Sequence, residues 1–249
     1  MFNQRPGDPG QYDSSTGGVR PNFLSSMVGA PAQPVTIARE GFLTESFVWM
    51  FLALLVSAAT AWMTLANEGA LQAVVNAFPL LLIAELGLVM VLSMAINRLS
   101  STVALAMLFV YAALNGTTFA FLALAYTTAS VTGAFVGAAA IFGAAALYGV
   151  ATGRDLTSLG GLLFAGLIGI VVASIANIFV GGDGLSFVIG IVGVVIFTGL
   201  TAFDVQRIKS GGLSWIQSRE NASVIGALRL YLDFVNLFLM LLRVTGSRR

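Results

Sequence analysis

Three acids stand inside stretches of sequence that water should not reach. Asp204 lies in IVGVVIFTGLTAFDVQRIK, Asp233 in VIGALRLYLDFVNLFLMLLRV and Glu85 in PLLLIAELGLVM. A carboxylate in hydrocarbon costs several kcal/mol unless it is neutralised or faces protein or water, so acids at such positions mark function. Two carboxyls that approach one another cannot both be cheaply ionised. They share a proton, and when it leaves, repulsion supplies a force that parts their helices. Carboxylate oxygens also suit hard cations such as calcium, and two or three of them make the weak, transient site that conduction requires. A purely structural role is the alternative. Arg207 follows Asp204 by three residues and Arg229 precedes Asp233 by four, spacings that allow an ion pair along one helix face. Glu85 falls nearer mid-membrane, where it is expected either to line a cavity or to serve as a protonated structural acid.

The chain that carries these acids is 57% hydrophobic and 9% charged, against roughly 25% charged in a soluble domain. Its apolar surface must therefore meet lipid, which predicts an all-α integral membrane protein. Twelve basic and eleven acidic residues leave a net charge of +1, far from the basic surface of a nucleic-acid binder. Cysteine and histidine are both absent, which removes disulfides, thiolate or imidazole metal sites and any Ser/His or Cys/His catalytic pair. No cofactor is expected, and proton handling falls to the carboxylates.

Residues 1–40 hold Pro6, Pro9, Pro21, Pro31 and Pro34 among Gly and Ser, which predicts a disordered tail without a cleaved signal peptide. Residues 41–249 form the second region, where polar breaks predict seven transmembrane helices of about 20 residues, near 43–66, 77–97, 103–125, 131–151, 159–180, 185–206 and 224–243. Arg5, Arg20 and Arg39 in the tail, Arg98, Arg154, and Arg207 with Lys209 and Arg219 alternate with loops that lack basic residues. That pattern places the tail and even-numbered loops in the cytoplasm and the C-terminus outside, against Arg243, Arg248 and Arg249. Gly133 and Gly137 form a GxxxG pair, and Gly143, Gly149, Gly166, Gly169, Gly190 and Gly193 continue a small-residue pattern expected to pack helices closely.

LTAFDVQRIK, LRLYLDFVNLFLMLLR and ANIFV at Ala176–Val180 resemble the signature of the Bax inhibitor type (transmembrane Bax inhibitor motif) family, in particular its bacterial YccA-like branch. The resemblance spans about Phe42 to Arg243 and implies six helices around a central seventh in a bacterial inner membrane. It further implies a pH-sensitive calcium leak gated by an aspartate pair falling on Asp204 and Asp233, with Glu85 at the pore. Near the end of helix two, where the family carries a basic latch, this chain has Ile96, with Arg98 just beyond. Arg229 stands where relatives are small and polar. Arg98 and Arg229 are thus the two latch candidates: an interhelical latch through Arg98, or an intrahelical pair of Arg229 with Asp233.

Other readings compete with a channel. YccA-like relatives are linked to a membrane-bound AAA protease, so a non-conducting interaction protein is the alternative. An intramembrane aspartyl protease would need a GxGD segment around its second aspartate, and GGDG at Gly181–Gly184 belongs to a loop. A light-driven pump would need a Schiff-base lysine in helix seven, whereas the single lysine, Lys209, follows helix six. No enzymatic activity is expected.

Overall fold

The computed structural model describes residues 42–248; the expected tail at 1–40 and Arg249 lie outside the described residues. Among the described residues seven helices are long and apolar enough to cross a membrane. They are α1 (Phe42–Leu65), α2 (Glu68–Ala95), α3 (Ser101–Ala125), α4 (Thr128–Ala151), α5 (Thr157–Val180), α6 (Asp183–Lys209) and α7 (Arg219–Thr245), with a 3-10 turn at Ile96–Arg98 closing α2. Lipid offers no hydrogen-bond partners, so each crossing must satisfy its own backbone, and the helix is the form that does so within one segment.

Short polar residues start several of these helices. The side chains of Asn67, Ser100, Thr127 and Ser218 accept the backbone N–H groups of Ala70, Val103, Ser130 and Asn221, satisfying donors that the first turn leaves orphaned. Two helices consequently begin earlier than the apolar pattern predicts. α2 starts at Glu68 rather than near 77, because Asn67 caps it and Gln72 bonds Asn76 one turn on at 3.0 Å; polar residues that read as a break are helix surface. α7 starts at Arg219 rather than near 224 for the same reason at Ser218. Between α5 and α6 only Gly181 and Gly182 intervene, at φ 67° and 130°, conformations that a Cβ would disfavour.

α7 is the most buried helix. Within its most apolar stretch 72% of residues are buried, against 44% in α6, 11% in α2 and 6% in α5. It packs on α1, α3, α4 and α6, while α2 lies chiefly on α3 and α5 on α6. Tyr231, Phe234 and Phe238 project from α7 at near-helical spacing and meet Tyr111, Phe142 and Phe119 edge-to-face at 5.8, 5.6 and 5.9 Å. Such pairs add about 0.5–1.5 kcal/mol each beyond the area they bury. Ser57 of α1 ties the same spine to α3, lying 2.8 Å from the Tyr231 hydroxyl and donating to Ala112 O at 2.7 Å.

The small-residue pattern divides. Gly149, Gly166, Gly190 and Gly193 sit where an added Cβ would strike a neighbouring helix, but Gly133, Gly143 and Gly169 face open space and Gly137 makes only ordinary contact. The GxxxG pair therefore does not mark a close crossing within this chain. Spacing puts small residues on one helix stripe without saying whether that stripe meets protein or lipid. Gly116 against Ser57 and Gly226 against Ser46 are close crossings that the spacing does not single out.

The even-numbered connections gather at one end. Arg219 pairs with Glu45 at 2.6 Å, Lys209 Nζ donates to Val150 O at 2.7 Å, and Gln206 spans Arg154 O and Leu156 N, both at 2.8 Å. We call this the basic end. At the opposite end Thr127 N donates to Ser247 O at 3.2 Å, Arg243 reaches Ser174 Oγ at 3.3 Å and Arg248 lies 3.5 Å from Asp183. Two of the three arginines that conflict with the orientation pattern thus have partners where they stand.

Candidate functional site

α6 and α7 are antiparallel neighbours, and their packing brings Asp204 and Asp233 to the wall of one cavity of about 360 Å3. Both residues are buried, with 7% and 5% of their surface exposed. Phe164 and Leu167 of α5, Phe197, Leu200 and Phe203 of α6 and Leu232 of α7 supply the apolar wall; Arg207, Arg229 and Asn236 complete the polar part. The helical period explains the grouping: Leu200, Phe203, Asp204 and Arg207 share one stripe of α6, as Arg229, Leu232, Asp233 and Asn236 share one of α7.

Arg229 Nη1 lies 3.0 Å from Asp204 Oδ1. The arginine expected to pair along its own helix with Asp233 instead reaches across to α6. Geometry decides this: an (i, i+4) neighbour is available on any helix surface, but at a tight crossing the facing helix offers a carboxylate directly. Arg229 therefore ties two helices together, which an intrahelical pair could not do. Arg207, the other local candidate for Asp204, places its guanidinium 5.9 Å from the Phe203 ring centre and donates through Nε to Gly212 O at 3.4 Å. Asp233 Oδ2 is buried without a hydrogen-bond partner among the described residues.

Over the whole lining the two arginines balance the two carboxylates, but Arg207 is engaged with Phe203 and Gly212. The α6–α7 contact itself therefore holds two carboxyls and one guanidinium, a total of −1 when both acids are ionised and zero when one holds a proton. Burial of both carboxyls favours the neutral total at this contact, since uncompensated buried charge is costly. The arrangement can accordingly exchange one proton, or replace it by a cation entering the cavity. Among the described residues no three acids or other metal-binding side chains converge, so this two-carboxylate site does not have the cage of a tightly held resident metal.

Glu85 stands apart. It is 9% exposed on α2, it accepts the Thr118 hydroxyl at 2.6 Å from α3, and it does not line the aspartate cavity. Arg98 is exposed in the 3-10 turn and forms no ion pair with either aspartate. Helix two is nevertheless held to helix seven, by a residue that sequence reasoning passes over: Asn221 Nδ2 donates to Ile96 O and Leu99 O, both at 2.9 Å. Asn97 adds bonds to Trp215 O and from Gln217 N at 3.3 and 3.2 Å. The available signal was an Asn three residues after a capping Ser at a helix start, which reads as loop polarity until the facing helix end is known.

Seven apolar crossings with an acid pair and its arginine between the last two define a multi-pass membrane protein with a charged site inside its bundle. Comparison with known sequences gives the class a family: the model described as inhibitor of apoptosis-promoting Bax1 matches residues 39–249, and the chain belongs to this Bax inhibitor family. It is 42% identical over 219 residues to the inner membrane protein YbhL of Escherichia coli K12, covering 84% of this chain and 93% of the relative. It is 42% identical over 209 residues to an uncharacterized protein of Deinococcus radiodurans, covering 83% and 90%, and 40% identical over 220 residues to one of Borreliella burgdorferi, covering 86% and 94%.

Proposed function

We propose that the protein is a pH-responsive cation leak of a bacterial inner membrane, with calcium the favoured ion and Asp204 and Asp233 as its gating pair. The observation that supports this most is the shared cavity in which Arg229 pairs with one carboxyl and Asp233 keeps a buried oxygen without a hydrogen-bond partner among the described residues. A proton on the pair keeps the α6–α7 contact neutral; its loss leaves one negative charge that repels within the contact and attracts a cation. The inner-membrane placement follows YbhL, and the basic end faces the cytoplasm by the positive-inside pattern. The bilayer, protons and calcium are then its partners, and no covalent step is assigned to it.

Calcium flux into proteoliposomes, measured across pH for the wild type, Asp204→Asn and Asp233→Asn, tests this. Wild-type flux should change with pH, and either substitution should flatten the dependence by removing both the shared proton and the repulsion. No calcium flux at any pH rejects the leak, and a wild-type midpoint and amplitude in both variants rejects the pair as its gate.

A further inference from the structure

A second cavity, of about 640 Å3, opens at the basic end between the α4–α5 connection and the end of α6. Arg154, Arg207 and Lys209 line it against a single acid, Asp155. Hydrogen bonds to Thr157 hold the exposed Asp155 carboxyl below the ordinary carboxylate range, so it stays charged and the lining sums to +2. The cations retain free donors. Arg154 has no partner for its guanidinium among the described residues; Lys209 commits one proton to Val150 O, and Arg207 commits only Nε, to Gly212 O. Thr152 adds a hydroxyl, while those of Thr157 and Ser210 are engaged with Asp155 and with Arg207 O.

The flanks of this basin are apolar and open. Leu147 and Tyr148 near the end of α4 are 71% and 50% exposed, and Leu159 and Leu162 near the start of α5 are 44% and 72% exposed. In membrane-spanning helices such side chains meet acyl chains, while a basin at the helix ends lies at headgroup level. An anion that also carries hydrocarbon fits both parts.

We propose that this basin binds the phosphate headgroup of an anionic phospholipid, whose acyl chains run along α4 and α5. Arg guanidinium and Lys ammonium groups are the usual partners of a phosphate diester, the first by paired donors and the second as a point charge. The site is independent of the cation reading but for one wall: Phe203 and Arg207 line both this basin and the aspartate cavity, so an occupant lies against the outer face of that wall.

The test titrates phosphatidylglycerol, phosphatidylcholine and sodium phosphate against the full chain in micelles, counting bound lipid by native mass spectrometry and following thermal stability. Phosphatidylglycerol should saturate one site and raise the melting temperature, with phosphatidylcholine doing neither. Arg154→Gln should weaken binding about fivefold and Arg154→Gln with Lys209→Gln about 30-fold, the loss expected of one and two surface cations. Arg98→Gln, at the same end but outside the basin, should leave it unchanged. If Arg98→Gln weakens binding as much as Arg154→Gln, the attraction is diffuse surface charge and the proposal fails. Saturation by sodium phosphate alone, with displacement of the lipid, also overturns it in favour of a free-phosphate site. Arg154→Gln removes an exposed side chain without a partner, so it keeps the test decisive even if the double variant does not fold.

Discussion

Replacing Arg229 by Gln removes the guanidinium that lies 3.0 Å from Asp204 and leaves that carboxylate buried without an ion-pair partner, the Arg207 guanidinium one turn along being held at Phe203 and Gly212. Breaking a buried pair from one side costs about 3–5 kcal/mol. Here the Arg229 side chain is 32% exposed and that of Asp204 10%, so solvent screens part of the loss and the lower figure, about 3 kcal/mol, is expected. For a chain of this length that is a fall of about 6–12 °C in melting temperature. Asp204→Asn should cost less, because the freed guanidinium can turn to solvent, and the double variant should recover most of the loss since no charge remains stranded. Thermal unfolding of the four proteins in one detergent at pH 8 gives the double-mutant cycle. Repeating it at acid pH supplies the sign: once Asp204 is protonated nothing is stranded by losing Arg229, so the penalty should shrink as pH falls. Effects that add within about 0.5 kcal/mol would refute an energetic link between α6 and α7 through this pair.

Three further substitutions separate packing from function. Gly149→Ala drives a Cβ into the Ala202 carbonyl of α6 and should destabilise by about 1–3 kcal/mol, whereas Gly143→Ala, which meets open space six residues earlier on the same helix, should be neutral or slightly stabilising in the same unfolding assay. Glu85→Gln keeps the size of the side chain and an acceptor for the Thr118 hydroxyl, so the protein should fold normally while cation passage in liposomes falls; unchanged calcium and sodium fluxes would make Glu85 structural.

The seven crossings were legible because a bilayer imposes a length and an apolar content that few other segments meet. Their starts were not, since the polar residues that cap a helix look like the residues that interrupt one: Asn67 and Ser218 begin helices that the apolar pattern opens about five to nine residues later. Asp204 and Asp233 could be placed at similar depth from the basic end of α6 and the antiparallel order of α6 and α7. The partner of Arg229 could not, because (i, i+4) spacing points to Asp233 on the same helix while the nearest carboxylate belongs to the facing one. Arg98 invited attention as a charge at a helix end. The connection there is made instead by an uncharged amide, Asn221, whose two acceptors stand at the 3-10 turn after α2: the Leu99 carbonyl, and the Ile96 carbonyl, which also accepts the Leu99 N–H.

The cross-helix contact of Arg229 with Asp204 also bears on how the chain enters its membrane. α7 carries Arg229, Asp233, Asn236 and Arg243 within a span that is otherwise apolar, a burden that lipid alone accepts poorly. α6 carries the one carboxylate that answers Arg229, so neither helix is complete until the other is present. The two should leave the insertion machinery as a hairpin, with the Gly-rich connection after Lys209 short enough to hold them together. A chain cut after α6 strands Asp204 in lipid, and reporter tags placed at the ends of α6 and α7 should show the last crossing forming efficiently only when α6 precedes it.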